Sequence, residues 1–181
     1  MERGTRLHSQ CEGYLTVGGE APVELAKIGH ILERLRANAA KSECAWRLDA
    51  DWSPIDHGGR VIGIVDVHFR LDGALHIYDF KTGRTYPDHD KQLELYALLG
   101  ASHHPDVNRF EVGAIYIDTG KLSRRRTLTR EELAPIRADW HQRAEAMLAD
   151  EVYEPNPKGG GCYWCPYKSL NGGPCHAWRK A

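Results

Sequence analysis

The segment from Arg60 to Lys81 constrains this chain more than any other. Val, Ile, Phe and Tyr dominate it, and Asp72-Gly73 breaks it as a turn pair between Leu71 and Ala74. That pattern predicts two strands, Arg60–Arg70 and Leu75–Lys81, joined in a tight hairpin. Asp66 lies inside the first strand, and Asp79 and Lys81 end the second. Side chains alternate across a strand, so Asp79 and Lys81 share one face while Phe80 takes the other. Two acids and a lysine among apolar neighbours are costly to bury unless something pairs them. A divalent cation would pair the acids and leave the lysine facing a bound anion.

The flanking segments read in order. Leu7, Cys11, Tyr14 and Leu15 keep helical spacing and predict a helix over 2–16, with His8 and Glu12 four apart on a neighbouring face. Pro22 opens a second amphipathic helix, about 22–40, with Leu25, Ile28, Leu32 and Leu35 as its core stripe. Glu43–Asp51 alternates as a strand. A helix over Asp88–Gly100 follows the hairpin and carries polar Gln92 and Tyr96 one turn apart on an apolar face, where each needs a hydrogen-bond partner. Arg109–Thr119 and Leu122–Thr129 predict two further strands. Thr129 with Glu132 three residues later has the pattern of a capping box before a last helix, Arg130–Asp150. The expected fold is α/β: a mixed central sheet of about five strands flanked by helices. A core over 1–155 and a cysteine-containing tail over 156–181, packed on that core, are the expected domains.

The spacing Asp66-x12-Asp79-x-Lys81 and the segments "GIVDVHF", "IYDFKTGR" and "KQLELYALL" together resemble the successive motifs of PD-(D/E)XK nucleases of the RecB type. That group includes the nuclease domains of RecB and AddAB, the exonucleases of CRISPR adaptation modules and many phage exonucleases. The resemblance runs from Arg3 to Tyr96, with a separate echo from Cys162 to Cys175. It implies that the core over 1–155 is a RecB-type nuclease core of restriction-endonuclease-like fold, and that the chain is a metal-dependent DNA nuclease, more specifically an exonuclease, of DNA recombination, repair or phage DNA processing. Within "RGTRLHSQCEGYL" it makes His8 a metal ligand. His8, Asp66, Asp79 and the backbone carbonyl of Phe80 would hold Mg2+ or Mn2+, hard ions that suit oxygen-rich ligation. Lys81 would orient or deprotonate the attacking water, and Gln92 and Tyr96 would position the strand or the lysine. Glu43 stands where such proteins often carry an acid, either outside the ligand set or recruiting a second ion; an exposed strand-edge glutamate is the plain alternative.

Charge adds little. The net charge of −1 does not advertise a polyanion partner, although a local basic strip can bind phosphate while an acidic site lowers the sum. Arg124, Arg125 and Arg126 form the one dense basic run, and with Arg84 they supply candidate phosphate contacts through Arg84, Arg124 and Arg126; a solvated edge is the competing reading. No apolar run reaches membrane-span length, and "MERGTRLH" has no signal-peptide core, so a cytoplasmic location with no membrane partner is expected. The expected partner is DNA with a free end, delivered by a helicase or recombinase.

The tail contains Cys162, Cys165 and Cys175, in the pattern C-x2-C-x9-C, amid so much Gly and Pro that a metal staple is a reasonable means of ordering it. In many RecB-type nucleases three such cysteines join an upstream one to hold a 4Fe-4S cluster. The usual upstream cysteine has no counterpart among the seven residues before His8, which leaves Cys11 and Cys44 for a fourth ligand. Zinc on Cys162, Cys165, Cys175 and His176 competes, though adjacent Cys175 and His176 make poor tetrahedral partners. A metal-free tail is the third reading. The main rival to the enzyme is a catalytically silent nucleic-acid-binding or assembly module on the same fold. A restriction-type endonuclease is a further one, but it usually carries a recognition element that is not evident here.

Overall fold

Alternating apolar residues place the hairpin at the centre of a six-stranded mixed sheet. The computed structural model describes residues 2–83, 88–123, 125–152, 154–155, 161–169 and 172–177. Strands β2 (Val61–Leu71) and β3 (Ala74–Lys81) pair antiparallel from Leu71↔Ala74 to Val67↔Tyr78. Asp72 and Gly73 both have positive φ, 50° and 72°, the left-handed geometry that matches the twist of a hairpin. Strand β1 (Lys41–Leu48) lies antiparallel to β2, and β4 (Arg109–Tyr116) lies parallel to β3. A parallel neighbour needs a long crossover, which α3 (Asp88–His103) supplies.

Two short strands, β5 (Lys121–Leu122) and β6 (Arg126–Thr129), pair antiparallel with successive parts of β4. They replace the single strand expected over Leu122–Thr129. The break falls at Ser123, whose Oγ accepts the Ala114 N–H at 2.8 Å while its own N–H donates to the Ala114 carbonyl at 2.8 Å. The side chain takes over a ladder bond there, and regular pairing stops.

The second expected helix is also divided. A 3-10 helix over Val23–Ile28 runs into α2 (Gly29–Ala37). Gly29 sits at the junction, where its low helix propensity lets the chain change pitch. Helix α1 (Glu2–Thr16) matches its expected span. Helix α4 (Arg130–Ala149) opens on the capping box: the Thr129 N–H donates to Glu132 Oε2 at 2.7 Å, and the Glu132 N–H donates to Thr129 Oγ1 at 3.2 Å. Two compact units result, Met1–Trp140 and His141–Ala181. Among the described residues no helix is long and apolar enough to cross a membrane.

The central strands β3 and β4 of the first unit are buried on both faces. Leu75 and Ile77 of β3 pack with Leu93, Tyr96 and Leu99 of α3, whereas Tyr78 and Phe80 pack with Leu7 and Cys11 of α1 and Leu32 and Leu35 of α2. Helix α3 seats closely because Gly63 faces it. A Cβ there would meet Leu99 Cδ1 at 2.4 Å and Tyr96 Cε1 at 3.3 Å.

Candidate metal centre and lysine relay

Helix α1 buries Leu7, Cys11 and Tyr14, which turns His8, Ser9 and Glu12 onto its flank. Its first turn is tied down by Arg3, which pairs with Asp118. Asp118 Oδ2 also accepts the Gly83 N–H at 2.7 Å, and the Asp118 carbonyl accepts Lys27 Nζ at 2.8 Å. One aspartate thus links the start of α1 to the chain just beyond Lys81.

The sheet changes face beside His8. Val65 of β2 packs in the α3 cluster, but Val67, two residues on, packs in the α1 and α2 cluster. Regular alternation would keep them on one side. Strand β1 does the same: Cys44, Trp46 and Leu48 pack toward α3, while Ser42 Oγ lies 3.3 Å from Thr16 Oγ1 of α1. Ser42 pairs with Val67 and Cys44 with Val65, so Glu43 stands opposite Asp66 at the point where both strands turn over. Glu43 has φ 50°, a conformation costing a non-glycine residue on the order of 1 kcal/mol.

The turnover gathers three ligand groups. Asp66 Oδ2 lies 3.4 Å from His8 Nδ1 and accepts the Phe80 N–H at 2.6 Å. Asp66 lies beyond the last β2–β3 pair, so its carboxylate stands in for a ladder carbonyl. Ligand atoms of His8, Glu43 and Asp66 all come within 4.8 Å of one another, the one such group of three among the described residues. They line a cavity of about 300 Å3 that Glu12 also reaches. The hydrogen bond to Asp66 raises the pKa of His8 against the opposing effect of burial. Burial raises that of Glu43, and the charges of Asp66 and Glu12 add to it.

On the α3 side of β3, Lys81 Nζ lies 2.7 Å from Asp79 Oδ2 and donates to Gln92 Oε1 at 2.7 Å. Gln92 Nε2 donates to the Tyr96 hydroxyl at 2.8 Å, and that hydroxyl donates to the Ile64 carbonyl at 2.7 Å. Gln92 and Tyr96 therefore have the partners their buried polar atoms required. Asp79 is 2% exposed, and its Oδ2 accepts no well-directed hydrogen bond among the described residues. Burial pushes its pKa to about 6, the Asp66 charge adds to this, and Lys81 opposes it.

This concentration of acids passes a chemical test for a cation. Glu12, Glu43 and Asp66 line the cavity with His8, Asp79 pairs with Lys81, and Glu43 and Asp79 are both held toward protonation, first by burial and then by the charge of Asp66. A hard divalent ion relieves both conditions, and the donors are the imidazole nitrogen and carboxylate oxygens such an ion takes.

The Phe80 N–H donates to Asp66, which sets the Phe80 backbone beside that carboxylate, while its ring lies in the α1 cluster. Arg126 pairs with Glu94 at 2.8 Å. Arg84 and Arg124 lie outside the described residues. Cys11 is fully buried in the α1 core, where burial pushes its thiol up to about 12, and Cys44 is half-buried against the α3 cluster. In the second unit a 3-10 turn brings the Cys165 N–H to the Cys162 carbonyl at 3.3 Å, and the Cys175 N–H bonds the Tyr167 carbonyl at 2.8 Å. Sequence reasoning gave Glu12 no role and Glu43 a supporting one. The four-residue spacing of His8 and Glu12 was the available signal for the first; nothing in sequence marks the backbone reversal that presents the second.

The family model of the PD-(D/E)XK nuclease superfamily matches residues 6–170. No curated protein gives a significant match. A solved structure titled "Crystal structure of SSO0001" is 18% identical, with a TM-score of 0.45, over 98% of this chain and 82% of that one.

Proposed function

Because the chain belongs to the PD-(D/E)XK nuclease superfamily, we propose that it is a divalent-metal-dependent deoxyribonuclease of the RecB type. It acts as an exonuclease on DNA with a free end, in recombination, repair or phage DNA processing, in the cytoplasm and with a helicase or recombinase delivering the end. The observation that carries this reading is the convergence of His8, Glu43 and Asp66 beside the buried Lys81–Asp79 ion pair.

His8, Glu43 and Asp66 would hold Mg2+ or Mn2+, with Asp79 and the Phe80 carbonyl completing the set. Bound there, the ion supplies charge for the scissile phosphate and acidifies water. The chain's own residues supply the positioning. Lys81 donates to Gln92 Oε1 and is held by charge beside Asp79. An ammonium has three donors, which leaves N–H groups for the attacking water or a phosphate oxygen. Lys81 thereby orients the nucleophile and stabilises the negative charge that grows on the phosphate in the transition state. Tyr96 and Gln92 fix the ammonium through hydrogen bonds anchored on the Ile64 carbonyl. Hydrolysis needs no covalent intermediate on the protein, and no step runs through the cysteine tail.

Linear and closed circular single-stranded DNA of one sequence test the exonuclease assignment. With Mg2+ or Mn2+, the linear form should be degraded and the circle should survive. Cutting of circles would assign an endonuclease instead.

A further inference from the structure

A second cavity, of about 280 Å3, lies on the α2 side of the sheet toward the hairpin turn and shares no lining residue with the metal-site cavity. Leu35 of α2, Phe69 of β2 and Ile115 of β4 give it an apolar floor. Two guanidiniums line it, Arg34 from α2 and Arg125 from the segment entering β6. Arg125 lies 3.3 Å from Glu111, whereas Arg34 has no carboxylate partner among the described residues. His76 and Tyr78 are 6% and 5% exposed, and His76 Nδ1 is 3.4 Å from the Tyr78 hydroxyl. The His76 ring stacks on Phe69 with centroids 4.8 Å apart. Burial pushes the Tyr78 phenol up, and Arg125 and Arg34 both pull it back, so the two cations act on one point in the pocket.

Two arginines against one glutamate leave positive charge over an apolar, aromatic floor. That combination selects a ligand with a flat or apolar body and an anionic group. The volume lies at the lower end for ligand sites, roughly 300 Å3 upward, so the ligand is small. It is room for one nucleotide unit, not a length of strand.

We propose that this pocket binds a single nucleotide, its phosphate at Arg34 and Arg125 and its base on the apolar floor, supplied as a free mononucleotide or as the phosphorylated end of a strand. The choice of a nucleotide among amphipathic anions rests on the nuclease reading; the pocket itself does not. Calorimetry on the full chain in EDTA tests it, with dAMP as the first probe and a 5′-phosphorylated octanucleotide beside its 5′-hydroxyl form as the second. Saturable one-to-one binding is expected for dAMP, for the phosphorylated strand, or for both, and the pattern identifies the source. Binding should weaken at least tenfold in Arg34→Ala, whose exposed position spares the fold. Deoxyadenosine and inorganic phosphate alone should bind at least tenfold more weakly than dAMP. Absence of saturable binding, or binding indifferent to Arg34→Ala, overturns the proposal. Because no cleavage is scored, an active nuclease that binds neither probe refutes the pocket alone. A protein that binds but cleaves nothing under any metal refutes the nuclease reading alone.

Discussion

Glu43 and Asp66 stand opposite each other across β1 and β2, at the position where both strands turn over, and Glu43 reaches it with a left-handed backbone. Like charges directly opposite on neighbouring strands destabilise a sheet. The arrangement costs stability in the metal-free protein, and a cation bound between the two carboxylates would offset that cost.

Glu43→Gln should therefore act in opposite directions with and without metal. In EDTA it removes the repulsion, and the melting temperature should hold or rise, by the equivalent of about 0.5 kcal/mol. With Mn2+ the stabilisation expected of the wild type should shrink in the variant, because binding to the native state is what produces it. Thermal melts of both proteins in EDTA and in millimolar Mn2+ check this. An equal metal-induced rise in both would remove Glu43 from the site.

In the proposed mechanism Tyr96 positions Lys81 through Gln92 and does not itself touch the reacting atoms. Tyr96→Phe leaves the Ile64 carbonyl and Gln92 amide without their shared hydroxyl. The expected loss is about 1–2 kcal/mol of stability. Turnover should fall with little change in KM, since the lysine is misplaced while substrate contacts remain. Steady-state kinetics separate this from a purely structural role, which would leave turnover per folded molecule unchanged.

Gly63→Ala tests the seating of α3. Its new Cβ would stand 2.4 Å from Leu99 Cδ1, beside Tyr96. Overpacking of this kind costs about 1–3 kcal/mol, and the displaced Tyr96 should also slow cleavage. Denaturant unfolding reads the first effect and an activity assay the second.

Most of the fold was legible because its signals are local. The Asp72-Gly73 turn, the Leu7–Cys11–Tyr14 stripe and the Thr129–Glu132 box each fix an element within a few residues, and each appears as expected. Asp79 and Lys81 share a face for the same reason. The division at Ser123 was not legible, because it depends on a side chain bonding Ala114 nine residues away. Glu43 joins the ligand group only through a φ reversal set by tertiary packing. Strand alternation alone would have kept Val65 and Val67 on one face and misplaced Asp66 between them.

Buried His68 gives the protein an acid-sensitive point outside the site. It is 5% exposed, its Nδ1 has no hydrogen-bond partner among the described residues, and its ring packs against Trp46 and His104. Burial, then the charge of His104, lowers its pKa from 6.5 to about 4. The folded state resists protonation that the unfolded chain accepts. Stability is full above pH 6.5, falls as pH drops through the window between 6.5 and about 4, and loses no more from this group below it. Between pH 7.5 and 5 the loss should be about 2 kcal/mol. His68→Phe should flatten that stretch of the stability profile, as read by urea unfolding at the two pH values; an unchanged slope would contradict the assignment.

In the proposed mechanism Lys81, paired with Asp79 beside the candidate metal site, drives phosphodiester hydrolysis. The direct test is cleavage of end-labelled linear single-stranded and duplex DNA in Mg2+, Mn2+ or EDTA, with wild type beside Lys81→Ala. Metal-dependent cleavage by the wild type, abolished in EDTA and reduced at least a hundredfold in the variant, is the predicted result, and the labelled end gives the polarity. Cleavage that persists in Lys81→Ala, or none by folded, metal-supplied wild type on either substrate, would contradict it.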